Sequence, residues 1–303
     1  MNIIKMTGGL GNQMFQYALY LKLQSMGRTV KIDDITEYKK ANPRPNMLWC
    51  FDADYQAATQ EEINYITDGF LKFSHRVRRK IFGRKSMEYH ERDYNFDEQI
   101  LERDPAYFTG YFQSERYFKE IESQVREAFT FSDKIWDGLD AELRKKIQDY
   151  QKQIDETLAV SVHVRRGDYL SSSEVYGGIC TEAYYQKAIA IIREKVPECV
   201  FYVFSNEPDW VRSWLEECYP RVDQFVIIEG TTEDNGYLDM FLMSRCRHHI
   251  IANSSFSWWG AWLNPDKNKI VIAPDKWLNN QRVKDIYTEG MIKISSEGEW
   301  REG

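Results

Sequence analysis

Positive charge is in short supply in this chain: 40 Lys and Arg stand against 47 Asp and Glu over 303 residues, a net charge of −7. A surface of that sign opposes bulk binding of nucleic acid, so any anionic partner must be met by a local pocket. Cysteine is sparse too, and the five present (Cys50, Cys180, Cys199, Cys218, Cys246) include no Cys-x-x-Cys pair. That spacing argues against a zinc knuckle or a disulfide framework, and reduced thiols in a cytoplasmic protein are the expectation. Long apolar runs are missing as well. The longest uncharged stretch, His249 to Pro265, contains Asn253, Ser254, Ser255, Ser257 and Asn264, which a lipid interior would penalise, so no transmembrane helix is expected. Lys5 interrupts the only early apolar segment, which argues against a secretion signal. Metal ligands in a recognisable spacing are also lacking around His163, so no metal is expected there.

What is present is a regular alternation of strand and helix patterns, in a chain long enough for two domains. The first half, read as a domain over residues 1–150, opens with a strand at Asn2 to Met6, a glycine loop at Thr7 to Gln13, a helix at Met14 to Met26 and a strand at Thr29 to Ile32. Residues 41–110 read as irregular helices and long loops, with short helices near Gln60 to Asn64 and Phe73 to Ile81. The polar helical stretch from Asp133 to Glu156 reads as a bridge between the halves. From residue 151 to 303 the alternation is sustained: strands at Leu158 to Val164, Cys199 to Ser205, Gln224 to Ile228, His249 to Ala252 and Lys269 to Ala273 are separated by helical segments. Such a pattern predicts a doubly wound parallel sheet, whose ligands sit at the carboxyl ends of the strands.

The chemistry-bearing residues fall at those ends. Val160, Val162 and Val164 alternate toward a core, and the strand stops on Arg165, Arg166, Gly167 and Asp168. A planar guanidinium suits two phosphate oxygens, so this end is a candidate diphosphate seat; an ion pair between an arginine and Asp168 is the other reading. His163 shares a side of the strand with Arg165. Ser205 and Asn206 end the next strand, as ligand contacts or as ordinary helix caps. Asn253, Ser254 and Ser255 open a helix whose amides and hydroxyls suit a phosphate. Trp258, Trp259 and Trp262 behind them read as core packing, and of the adjacent His248 and His249 one is expected to be structural. Gly8, Gly9 and Gly11 precede a helix but match neither a P-loop nor Gly-x-Gly-x-x-Gly. Between His75 and Lys85 a basic run (Arg76, Arg78, Arg79, Lys80, Arg84, Lys85) surrounds Val77, Ile81 and Phe82; it reads as a solvated helix face or as a peripheral contact with anionic lipid on the inner face of the plasma membrane.

Five segments taken together, GGLGNQMFQYA at Gly8 to Ala18, GYFQSERYF at Gly110 to Phe118, HVRRGDY at His163 to Tyr169, FSN at Phe204 to Asn206 and NSSFSWWGAWLN at Asn253 to Asn264, resemble the bacterial α-1,2-fucosyltransferases of glycosyltransferase family 11. The resemblance implies an α/β, GT-B-like fold in which two Rossmann-like domains face a cleft, an acceptor-side domain with the glycine loop and a C-terminal domain that binds GDP-fucose. It implies metal-independent, inverting transfer of L-fucose from GDP-β-L-fucose to the 2-hydroxyl of a terminal galactose, on an oligosaccharide or lipid-linked glycan of the O-antigen or capsule kind. No cofactor is implied. Arg165 would stabilise the leaving diphosphate, with Asp168 or Glu174 as base candidates. His163, Arg166, Ser205, Asn206, Asp239, Asn253, Ser254 and Ser255 would surround the nucleotide sugar, and Gly8, Gly9, Gly11, Asn12 and Gln13 would line the acceptor side. Glu207 departs from the Asp that often follows Ser-Asn in the family. A fucosyltransferase of other linkage and a catalytically silent nucleotide-sugar-binding protein are the alternatives.

Overall fold

The computed structural model describes residues 1–41, 43–167, 174–219 and 224–301. The chain forms two compact units, Met1–Thr130 and Phe131–Gly303. The first contains strands β1 (Asn2–Lys5), β2 (Val30–Asp33), β3 (Glu88–His90) and β4 (Ala106–Thr109) and helices α1 (Leu10–Ser25), α2 (Gln60–Ile66), α3 (Phe73–Phe82), α4 (Glu98–Glu102) and α5 (Glu122–Ala128). Its sheet runs β2-β1-β4-β3 and is parallel throughout, with Asn2 level with both Val30 and Ala106. Helix α1 is buried along nearly its whole circumference, from Leu10 and Met14 to Leu23, which is why its sequence lacks a polar stripe. It begins four residues before the expected Met14, inside the glycine loop.

Residues 41–110 hold more order than their sequence suggests, because β3 and β4 lie within them. Strand β4 is the four residues Ala106, Tyr107, Phe108 and Thr109, too short to show a period, yet it lies beside β1 at the centre of the sheet. Non-local pairing, not local pattern, makes it a strand.

The second unit contains α6 (Ala141–Glu156), β5 (Leu158–Val164), α7 (Glu182–Lys195), β6 (Cys199–Ser205), α8 (Pro208–Cys218), β7 (Phe225–Ile227), α9 (Tyr237–Arg245), β8 (His248–Ile250), α10 (Ser255–Leu263), β9 (Val271–Pro274), β10 (Ile292–Ile294) and β11 (Trp300–Arg301). The sheet order is β11-β10-β9-β8-β5-β6-β7, parallel except where β11 turns back on β10. The chain winds outward from β5 to β7, then returns to place β8 on the other flank of β5. The order therefore reverses between β5 and β8, the position at which a doubly wound sheet opens a crevice at its carboxyl edge. Val160, Val162 and Val164 pack with Tyr184, Ala188, Ile192, Phe201, Val203 and Trp214 in one core, as the period-two pattern of β5 demands.

The domain boundary falls after Thr130, not near residue 150. Helix α6 does not bridge the halves. Its Ile147 and Ile154 are buried, Phe131 and Trp136 meet the ring of Phe241 on α9 edge-on, and the Tyr237 hydroxyl donates to the Ile135 carbonyl. A charged helix with only two buried apolar residues resembles a linker in sequence, although those two residues fix it to its own unit.

Candidate active site

Arg165 and Arg166 emerge from the carboxyl end of β5, beside the ends of β6 and β8. The two do different work. Arg166 has local partners: its Nε donates to Glu207 Oε2 at 3.0 Å, its guanidinium stacks 3.7 Å from the centre of the Trp210 ring, and its backbone N–H donates to Asn206 Oδ1 at 3.0 Å. Arg166, expected at the nucleotide sugar, braces β5 against α8 through these contacts. Glu207 explains itself here, since its carboxylate reaches the Arg166 Nε. Gly167 follows at φ +54°, where an added Cβ would lie 2.6 Å from Asn206 Nδ2, so this turn has no room for a side chain. Asp168, the proposed catalytic carboxylate, lies outside the described residues.

His163 points to the other face of β5, 5.9 Å between ring centres from Phe256 on α10. It is buried, and its Nδ1 has no hydrogen-bond partner. Burial, with the Arg165 charge behind it, pushes its pKa down to about 3, so the ring is neutral at physiological pH and presents an unsatisfied nitrogen. Asp239, in the first turn of α9, shows the converse: Oδ1 is sealed from solvent without a partner, and burial lifts the carboxyl to about 7 against the Thr231 hydrogen bond. His163 Nδ1 and Asp239 Oδ1 are two of nine buried side-chain polar atoms without a hydrogen-bond partner among the described residues, and a buried group left in that state calls for an explanation.

The β8 side is more structural than its sequence suggests. Asn253 is occupied: its Nδ2 donates to the carbonyls of Tyr176 and Trp277 at 3.3 and 3.2 Å, and its Oδ1 accepts from Cys180 Sγ at 3.5 Å. It ties the neighbouring loops together. Ser254 is the N-cap of α10 yet makes no side-chain cap, and Ser255 is the first residue of the helix. Ser205 Oγ accepts from the Glu207 N–H at 3.0 Å, a local turn that precedes α8, whose N-cap is Glu207. Trp258 and Trp259 are fully buried and Trp262 nearly so. His248 and His249 are both structural: His248 Nδ1 accepts from the Ile270 N–H, and His249 sits between Ser161 Oγ at 2.8 Å and Asn264 Nδ2 at 3.0 Å.

In the first unit, Gly8 stands at φ +81°, where a Cβ would lie 2.6 Å from Asn12 Nδ2. Gln13, expected on the acceptor side, is fully buried; its Nε2 donates to the Gly8 and Pro45 carbonyls and its Oε1 accepts from the Met47 N–H. It shapes the loop and does not face a ligand. Gln16 acts similarly, accepting from the Thr7 N–H and donating to the Gly110 carbonyl. Asn12 accepts from Gln113 Nε2 at 2.8 Å, which joins the glycine loop to the segment after β4. Sequence reasoning missed the residue that holds this segment: Glu91 accepts from the N–H groups of Tyr111 at 2.7 Å and Phe112 at 3.0 Å. Phe112 needs holding, because it stands at φ +55°, a costly conformation for an aromatic residue. Burial raises the Glu91 carboxyl to about 7.

No group of three His, Cys, Asp or Glu that could hold a metal ion occurs among the described residues. All five cysteines are unpaired. None of the described helices is long and apolar enough to cross a membrane.

Residues 61–295 match the family model described as glycosyl transferase family 11. The chain is 35% identical over 293 residues to the alpha-1,2-colitosyltransferase of Escherichia coli, covering 94% of each protein. It is 28% identical over 307 residues to the O-antigen biosynthesis glycosyltransferase WbnK of Escherichia coli, covering 95% of this chain and 99% of that one. Among solved structures it is similar to the NodZ alpha-1,6-fucosyltransferase, with a TM-score of 0.45 and 16% identity over 87% of this chain and 92% of that one. With its five motif segments in order and its family match spanning most of the sequence, the chain belongs to glycosyl transferase family 11.

Proposed function

We propose that this glycosyltransferase moves L-fucose from GDP-β-L-fucose to the 2-hydroxyl of a terminal galactose, with inversion, in the synthesis of a surface glycan. The observation that carries the reading is the end of β5, where Arg165 emerges beside a buried His163 nitrogen that lacks a partner. Membership of the family, and a relative named for alpha-1,2 transfer, support the linkage.

In this reaction the bond from the anomeric carbon to the β-phosphate oxygen breaks, and its electron pair leaves on GDP. The galactose O2 bonds to the opposite face of that carbon and gives its proton to a base. Positive charge grows on the sugar ring and negative charge on the diphosphate, and fixed donors aimed at the latter lower the barrier. Arg165 is placed in that role and Ser254 and Ser255 beside it, where the amino end of α10 adds its dipole. Asp239 would accept from the two N–H donors on the guanine edge, and His163 would meet the nucleotide through Nδ1. No divalent cation is included, because the guanidinium supplies the charge.

A second reading concerns the donor alone. The relative at 35% identity is named a colitosyltransferase, and colitose is L-fucose without its 3-hydroxyl. Incubating the purified protein with lactose and equal amounts of GDP-L-fucose and GDP-L-colitose, then assigning the product linkage by NMR, decides both points. An α-1,2-fucosyl product, formed equally well in EDTA, is expected. Preference for colitose changes the donor, loss of turnover in EDTA removes the metal-free mechanism, and donor binding without transfer favours a silent binding protein.

A further inference from the structure

Helix α3 is built inside out. Its stripe Phe73, Val77 and Ile81 recurs every fourth residue, which in a globular protein faces the core. Here no residue of the helix is buried: Phe73 is 81% exposed, Ile81 66% and Val77 38%, with Leu71 at 85% just before the helix and Phe82 at 72% at its end. The helix docks by its polar side instead. Arg78 and Arg79 turn inward to the buried carboxylate of Asp68, Arg79 also donates to the carbonyls of Asp68 and Phe70 at 2.8 Å, and His75 lies 4.8 Å from the Phe70 ring. Asp68 is the fixed point of the arrangement, since its other oxygen accepts from the Lys85 N–H.

Charge around the stripe is of one sign. Between Gly69 and Met87 there are seven Lys and Arg and no Asp or Glu, in a chain whose net charge is −7. Of these, Lys72, Arg76, Lys80, Arg84 and Lys85 are exposed, and Arg84 pairs with Glu88 just beyond the segment. An apolar ridge rimmed by cations fits a surface that is anionic at its face and apolar just beneath, which is a bilayer with acidic headgroups. A second copy of the chain fits poorly, because pairing the two ridges would bring the two cationic rims together.

We infer that α3 is a membrane-surface anchor: Leu71, Phe73, Val77, Ile81 and Phe82 enter the headgroup boundary of an anionic lipid surface, and Lys72, Arg76, Lys80 and Lys85 bind its phosphates. The inference is independent of which sugar the enzyme transfers. It also gives the inward Arg78 and Arg79 a purpose, since they hold the apolar side outward.

Co-sedimentation of the full chain with vesicles tests it. Binding is expected to vesicles of equal parts phosphatidylglycerol and phosphatidylcholine, weakening as salt rises, and not to phosphatidylcholine alone. Each exposed cation contributes about fivefold at such a surface, so Arg76→Ala with Lys80→Ala should weaken binding roughly 25-fold. Phe73→Ser with Ile81→Ser should weaken it at least about tenfold through lost apolar insertion, with an unchanged melting temperature because neither side chain packs in the protein. No binding to anionic vesicles, equal binding to both vesicle types, or variants that bind like the parent overturn the inference. So does a dimer, seen by light scattering, that Phe73→Ser with Ile81→Ser dissolves, because that makes a second copy the occupant.

Discussion

Arg166 and Glu207 form an ion pair, Nε to Oε2 at 3.0 Å, that ties the end of β5 to the start of α8, with the Trp210 ring beneath the guanidinium. Both partners are about a third exposed or less, so the pair adds less than about 1 kcal/mol to stability. Its larger effect is positional, since Arg165 is the residue before it.

Glu207→Gln should therefore leave the melting temperature nearly unchanged while lowering turnover by about tenfold, because a displacement of 1 Å can cost up to about a hundredfold in rate. Glu207→Asp, too short to keep the same reach, should fall between. Steady-state kinetics with donor binding measured separately checks this; a loss confined to donor affinity would place Glu207 at the nucleotide itself.

Arg165→Ala should lower turnover at least a hundredfold, about 3 kcal/mol of transition-state stabilisation. Arg165→Lys should recover little, because an ammonium cannot span two phosphate oxygens. Wild-type turnover in purified Arg165→Ala would remove the assignment.

His163 gives an acid-side prediction. Its folded pKa of about 3 lies below the ordinary 6.5, so the unfolded chain binds the proton first as pH falls. The neutral ring is tolerated in full above pH 6.5, and stability drops by about 1.4 kcal/mol per pH unit between 6.5 and 3 on this account. Comparing urea denaturation of the parent and His163→Asn at pH 7 and pH 5 should show the smaller decline in the variant. Equal declines would mean that His249, also held well below its ordinary value, accounts for the slope.

Asp239 predicts the reverse slope and a trade-off. Its folded pKa of about 7 lies above the ordinary 3.8, so its contribution is full below pH 3.8 and is lost as pH rises through 7. Asp239→Asn should raise stability at pH 8, on the order of 2 kcal/mol after allowing for its partial exposure to solvent, and should weaken GDP binding. Thermal unfolding at pH 8 with and without GDP reads both effects, and a variant that is stabilised yet binds GDP normally would take Asp239 out of the site.

Gln13→Ala should destabilise the first unit by about 3 kcal/mol, because it strands the Met47 N–H and two carbonyls in a buried loop. Chemical denaturation measures this. A stable variant that has lost only acceptor affinity would return Gln13 to the binding surface.

Much of the second unit could be read from its sequence because its two longest strands, β5 and β6, run to seven residues each and several of its helices open on Thr, Pro or Ser. Strand β5 shows its alternation over seven residues, and Thr181, Pro208 and Ser254 mark the starts of α7, α8 and α10. Strand β4 could not be read, because four residues beside β1 have no period of their own. The candidate site divides in the same way. Residue type and position at a strand end pointed to Arg165, His163 and Ser254, whereas Arg166, Asn253 and Gln13 carry side chains equally suited to a ligand or to a neighbouring loop.

By itself the sequence determined the alternation of strands and helices in the second unit and the family, since these follow from local periodicity and from motifs contiguous in the chain. Tertiary structure decided which polar groups are already partnered. Arg166 is taken by Glu207 and Trp210, Asn253 by three loop atoms and Gln13 by its own loop, while His163 Nδ1 and Asp239 Oδ1 are buried without partners. It also decided that the apolar stripe of α3 faces outward. The physical reason is the same in each case: a side chain's hydrogen bonds and burial are set by residues distant in the chain, which only the folded molecule brings within reach.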